Sequence, residues 1–164
     1  MKSLTLSAAL LSMLGLADVA QAQPAGKLFF EGDIVRGAQP GAPGPFCVLN
    51  GQFKRLEKVV WRVRMLDQDG KPLDDKAIKK LTIQLPDGRV MPEGRYGRHP
   101  GNLPPEQATD FFWTVAWIVP EDYPTGTFVY KIVATDTHGK EHVWEPFKVR
   151  ASQLAVLNDK IEIK

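Results

Sequence analysis

The sequence predicts an all-β protein, an antiparallel β-sandwich of about seven strands. Three observations carry that expectation. Short segments of alternating apolar and polar residues recur at regular spacing with turn residues between them. No stretch keeps the helical period for more than about two turns. The 164 residues include 14 glycines and 13 prolines, which suits strands and turns better than helices.

The first element is not part of the sandwich. Lys2 supplies a positive start, Leu4 to Leu16 an apolar stretch, and Ala20 and Ala22 the small residues that a signal peptidase reads. The apolar stretch is shorter than the ~20 residues a membrane span needs, and Asp18 stands where an anchor would still be in lipid. The pattern predicts an exported bacterial protein, cleaved after Ala22 and placed in the periplasm or outside the cell. No membrane span is expected after cleavage, and no cysteine follows the cleavage point directly, so a lipid anchor is not expected. The chain then divides into a signal peptide (1–22), an N-terminal extended segment with a Gly/Pro-rich loop (23–46), and the sandwich domain (47–164).

Lys27 to Val35 reads as a first strand, followed by the loop from Gly37 to Pro45. Phe46 to Leu49 is a short apolar piece closed by the Asn50-Gly51 turn. Val59, Trp61, Val63 and Met65 alternate with Lys58, Val60, Arg62 and Arg64, which describes a strand with one buried and one wet face. Asp67 to Gly70 forms a turn, and Asp74 can cap a single helical turn over 74–80. Leu81, Ile83 and Leu85 alternate, and Pro86-Asp87-Gly88 turns the chain. A long polar loop is expected from Pro92 to Asp110. Phe111 to Val119 is apolar on both faces, as in a central strand or one that meets a partner. Thr127 to Thr135 is a long strand, and His138-Gly139 turns it back through Val143-Trp144 towards Phe147 and Val149. Pro146 makes that returning strand an edge or a bulged one. Leu154 to Val156 and Ile161 to Ile163 give a last short strand or a tail.

Pro120, Pro124-Thr-Gly126, Phe128-x-Tyr130-x-Ile132-x-Ala134-x-Asp136 and Gly139 resemble the pattern of bacterial immunoglobulin-like and fibronectin type III-like domains. In those domains a Pro-x-Gly corner opens a long alternating strand that ends in Ala-x-Asp before a glycine turn. Trp61 suits an inner strand of such a sandwich. The resemblance covers about half of the mature chain. It implies an Ig-like scaffold that binds, spaces or supports, without a substrate. The paired cysteines of antibody-type domains are absent, and Phe128 stands at the corner-tyrosine position.

Charge and composition narrow the function classes. The net charge is +2 with signs interspersed, which argues against a nucleic-acid surface. With Cys47 as the only cysteine, no intramolecular disulfide can form. No Gly-x-Ser-x-Gly elbow, phosphate-binding loop or dinucleotide fingerprint is present, so a non-enzymatic protein is expected, with no cofactor. The preferred contact patch is Arg95, Tyr96, Arg98 and His99 in the long loop, because arginine and tyrosine dominate recognition surfaces. Cys47, among Phe46, Val48 and Leu49, reads as a small buried hydrophobe. The alternative is a thiol that joins His99, His138 or His142 on a metal or haem. His138 and His142 flank a hairpin turn with Asp136 and Glu141 nearby, where the plainer reading is a solvated polar turn. Trp61, Trp113, Trp117 and Trp144 raise a carbohydrate-binding module, against which stands their place in core patterns. The leading expectation is an exported binding or accessory domain that docks on a protein partner.

Overall fold

The structure, a computed structural model, describes residues 26–41, 47–99, 104–107, 110–147 and 152–160. The expected signal peptide, Phe46, Val149 and Ile161 to Ile163 lie outside the described residues. Among the described residues ten strands form: β1 (Phe29–Arg36), β2 (Gln52–Arg55), β3 (Lys58–Leu66), β4 (Ile78–Gln84), β5 (Arg95–His99), β6 (Asp110–Ile118), β7 (Gly126–Phe128), β8 (Lys131–Asp136), β9 (Glu141–Trp144) and β10 (Leu154–Lys160). They make three sheets, in the orders β1-β3-β6-β5, β4-β8-β9 and β2-β10-β7. Every pairing is antiparallel except that of β2 with β10.

The all-β, antiparallel expectation therefore holds, but ten strands in three sheets replace about seven. Part of the difference is a break. The expected strand from Thr127 to Thr135 is interrupted at Val129 and Tyr130 and becomes β7 and β8. The returning strand stops at Trp144, before Pro146, and the next described pairing begins at Leu154. Proline has no N–H to give a ladder. The rest is strands that the pattern did not predict. Gln52–Arg55 follows the Asn50-Gly51 turn directly, and Arg95–His99 lies inside the expected loop from Pro92 to Asp110.

The best-patterned strand is also the centre of the core. Val59, Trp61, Val63 and Met65 are all at most 1% exposed, while the alternate residues of β3 are half-buried. They meet Trp113 and Val115 of β6 and, from the other layer, Ile83, Ile132 and Ala134. The Trp61 and Tyr130 rings cross edge to face with centroids 5.8 Å apart. Burial of each such side chain contributes roughly 1.5–3 kcal/mol. The apolar strand β6 lies between β3 and β5, as a two-sided strand should.

Aspartates set the turns that orient these strands. Asp67 Oδ1 accepts from the backbone of Asp69 and Lys71, and Asp87 Oδ1 from Arg89. Asp74 caps the turn before β4, accepting from Lys76 and Ala77 at 3.0 and 3.2 Å. The residues after that cap enter a strand at Ile78 and not a helix, because Ile78, Leu81 and Ile83 are all drawn into the core. A short aspartate side chain closes such turns by standing in for a backbone carbonyl.

Candidate functional site

Two edges of the four-stranded sheet carry the features that can meet another molecule. The first is β5, which holds all four residues of the sequence-predicted contact patch. Arg95, Tyr96, Arg98 and His99 sit on an edge strand and not in a loop. Register sets Arg95 against Thr114, Tyr96 against Trp113, Arg98 against Phe111 and His99 against Asp110. Tyr96 stacks on Phe111 at 6.2 Å and leans on Trp113 at 5.6 Å. His99 lies 5.3 Å from the Phe112 ring on the other face. Phe111 is 42% exposed, so the strand presents an aromatic ledge. Burial, with the Asp74 and Asp75 charges behind it, pushes the Tyr96 hydroxyl above its ordinary range and keeps it a neutral donor. Arg95 and Arg98 are exposed and have no ion-pair partner among the described residues.

The arginines of β3, on the outer face of the same sheet, behave differently. Arg62 grips Asp33 through Nε and Nη2 at 2.8 and 2.6 Å and lies 5.9 Å over the Phe112 ring. Arg64 bonds Asp110 and reaches Glu31 at 3.4 Å. These charges are matched within the sheet, whereas Arg95 and Arg98 of β5 have no such match among the described residues.

The second feature is a cleft of about 550 Å³ at the opposite edge. Its walls are Ile34 of β1, Leu49, Tyr130, Trp144, Pro146 and Phe147. Trp144 crosses from β9 to stack on Phe30 at 6.0 Å, and its ring fits over Gly32, where an added methyl would sit 3.1 Å from Cζ3. Leu49 and Phe147 stand 67% and 83% exposed at the lip. Burial, then the Asp33 charge, raises the Tyr130 hydroxyl far above the tyrosine range, so it stays protonated in the cleft. A volume of this size with mostly aromatic and apolar walls is the usual form of a binding site. Sequence reasoning missed it because its walls come from four separated segments. The signals available were a glycine within a strand and a proline that ends one, Gly32 and Pro146.

The other sequence candidates do not converge. Cys47 is exposed, contrary to the buried position expected for it. It takes a positive φ of 57° just before the chain runs alongside β1. His138 is exposed at the hairpin tip. His142 turns inward instead, and its Nε2 lies 3.0 Å from Asp136 Oδ2. Asp136 Oδ1 also accepts from the backbone of His138 and Lys140, so the Ala-x-Asp motif acts as a brace for the turn. The bond to His142, then these backbone donors, holds the Asp136 carboxyl below the usual range against the opposing effect of burial. Among the described residues no three His, Cys, Asp or Glu side chains gather closely enough to hold a metal ion. Trp61 and Trp113 are buried, and Trp117 and Trp144 pack half-buried against the core. The row of exposed tryptophans that a sugar-stacking face requires is not formed. No helix among the described residues is long and apolar enough to cross a membrane. Compared with known proteins, the chain matches no protein-family model and no curated protein sequence.

Proposed function

We propose that this chain is an exported, non-enzymatic, Ig-like binding or accessory domain that docks on a protein partner through the β5 edge. The fold part of this reading rests on strand order. If β7 with β8 is taken as one broken strand, and β9 with β10 as another, the sheets reduce to two layers. One layer is β1-β3-β6-β5. The other is β4, then β8 and β7, then β9 and β10, with β2 alongside. Grouped so, the chain order parallels the ABED and CFG arrangement of an Ig constant-type sandwich, with β2 as an added parallel neighbour of the last strand, and this supports the Ig-like reading. Trp61 and Tyr130 lie on the second and sixth strands of that scheme. Antibody domains place their inter-sheet disulfide between those two strands, and here an aromatic pair takes that place. Export rests on the N-terminal charge, apolar stretch and Ala20-x-Ala22 pattern.

The docking part rests on one observation. Arg95, Tyr96, Arg98 and His99 stand together on an edge strand with an aromatic ledge beside them and two guanidinium groups that no described side chain neutralises. Tyrosine and arginine anchors of this kind carry most of the energy at protein interfaces. Unmatched cationic charge selects an acidic partner surface.

The test is co-purification of the tagged full chain from its native host. One stoichiometric partner is expected. Tyr96→Ala and Arg98→Glu should each weaken its retention at least about tenfold, a loss of about 1.4 kcal/mol. The exposed control Lys79→Glu should not. A chain that emerges alone, or a partner held equally by all variants, overturns the proposal.

A further inference from the structure

The cleft side of the molecule has a polarity that β5 lacks, and it lies in the backbone of β1. Gly37 N donates to Lys58 O in the same register that pairs Val35 with Val60. Odd-numbered residues of β1 therefore exchange their hydrogen bonds with β3, and even-numbered ones point their N–H and C=O outward. The chain itself covers the Arg36 end of that outward row. Arg36 N donates to Val48 O, Cys47 N to Arg36 O, and Asn50 N to Ile34 O. At Asn50 and Gly51 this covering segment turns away into β2. Phe30 and Gly32 are left with outward backbone groups that bond to nothing among the described residues, and Gly32 is exposed. The apolar cleft opens directly beside them, with Gly32 and Ile34 in its wall.

We propose that the open end of β1 receives an extended strand of a partner protein that continues the line begun by Val48 to Asn50. Its apolar side chains enter the cleft between Trp144, Leu49 and Phe147. A basic side chain lies over Glu31 on the outer face. Strand addition of this kind draws affinity from main-chain hydrogen bonds and specificity from pockets for alternate side chains, and this edge offers both. Charge decides between occupants. Glu31 is 58% exposed and reaches Arg64 only at 3.4 Å, while Arg64 lies closer to Asp110, so the Glu31 carboxylate has room for a cation. A second copy of this chain fits poorly. The antiparallel register that pairs Phe30 with Gly32 of the copy sets Glu31 opposite Glu31, and like charges directly opposite are destabilising. The site is separate from the β5 surface, since two strands stand between the edges.

The probe is a blocked peptide of about six residues that alternates lysine with valine and phenylalanine. Its controls are the glutamate-for-lysine counterpart and a version N-methylated along one backbone edge. The lysine peptide should bind the full chain at least about tenfold more tightly than the glutamate peptide, and N-methylation should abolish binding. The amide protons of Phe30 and Gly32 should exchange rapidly in the free chain and become protected on binding. Phe147→Ser, at an exposed lip position, should weaken the peptide without loss of the folded state. Absence of binding at millimolar peptide, equal affinity for the lysine and glutamate forms, or binding without protection of these two amides overturns the proposal. So does protection in the free chain that grows with protein concentration, which identifies a second copy as the occupant.

Discussion

The two edges of the four-stranded sheet solve one problem in opposite ways. An edge strand exposes unpaired backbone and invites association. β5 is short, carries Arg95 and Arg98, and has Gly97 at its middle, so charge guards it. β1 is eight residues long, with Glu31 and Asp33 on its outer face and Arg36 on the other, where it pairs with the buried Glu57. Its protection is the chain segment at Val48 to Asn50 and the Trp144 ring, and neither reaches all of it. The lesson is that side chains define the β5 surface and backbone defines the β1 surface. Substitution should therefore act on recognition at β5 and on architecture at β1.

The largest expected effect is at Trp144. Trp144→Ala removes the ring that spans Gly32 and Phe30 and should cost about 3 kcal/mol by chemical denaturation. A loss below about 1 kcal/mol would show that the β1 side does not depend on this ring. Next is Asp136→Asn, which weakens three bonds to one carboxylate and should cost about 2 kcal/mol. Its pH dependence has a definite sign. The folded-state pKa of Asp136 is lowered. Its contribution is thus complete above the ordinary carboxylate pKa and is lost as pH falls through the lower folded value. The wild-type chain should lose stability over that acidic window more steeply than the variant. Parallel profiles there would remove Asp136 from the account.

Gly32→Ala comes third, because its methyl meets Trp144 at 3.1 Å and Arg62 O at 3.3 Å. A cost of about 1–2 kcal/mol is expected, and it should shrink when Trp144→Ala is also present. Additive costs in that double-mutant cycle would mean that the clash is not with the ring. The smallest effect belongs to β5. Arg95→Glu and Arg98→Glu should leave stability within about 0.5 kcal/mol of wild type. A larger loss would make these arginines structural and erase the contrast between the edges.

Much of this was legible in the sequence wherever one segment carried its own pattern. β3 alternates so cleanly that Trp61 could be placed in the core at once, and β6, apolar on both faces, could be placed centrally. The Asp67, Asp87 and His138-Gly139 turns were equally local. The four β5 residues were found by chemistry and not by conformation, since Arg95 to His99 has no apolar alternation and becomes a strand only because β6 pairs with it. Cys47 was misplaced for a related reason. Its apolar neighbours suggested burial, but Val48 and Leu49 are themselves exposed on the β1 edge. The cleft depends on segments about a hundred residues apart, such as Ile34 and Trp144, and no local rule brings them together.

The separation of the two three-stranded sheets has a consequence for how the chain folds. β7 closely precedes β8 in the chain and β10 follows β9, but among the described residues no ladder joins the sheet β2-β10-β7 to the sheet β4-β8-β9. The assembly of β2, β7 and β10 joins distant residues: Arg55 Nη1 bonds the Asn158 carbonyl 103 positions away. Such pairing must overcome loop-closure entropy before it gains anything. This corner is therefore expected to form after the transition state, in a chain whose central strands are already in place. Substitutions at Phe53 and Leu154 should then speed unfolding and leave the folding rate almost unchanged, with φ-values near zero.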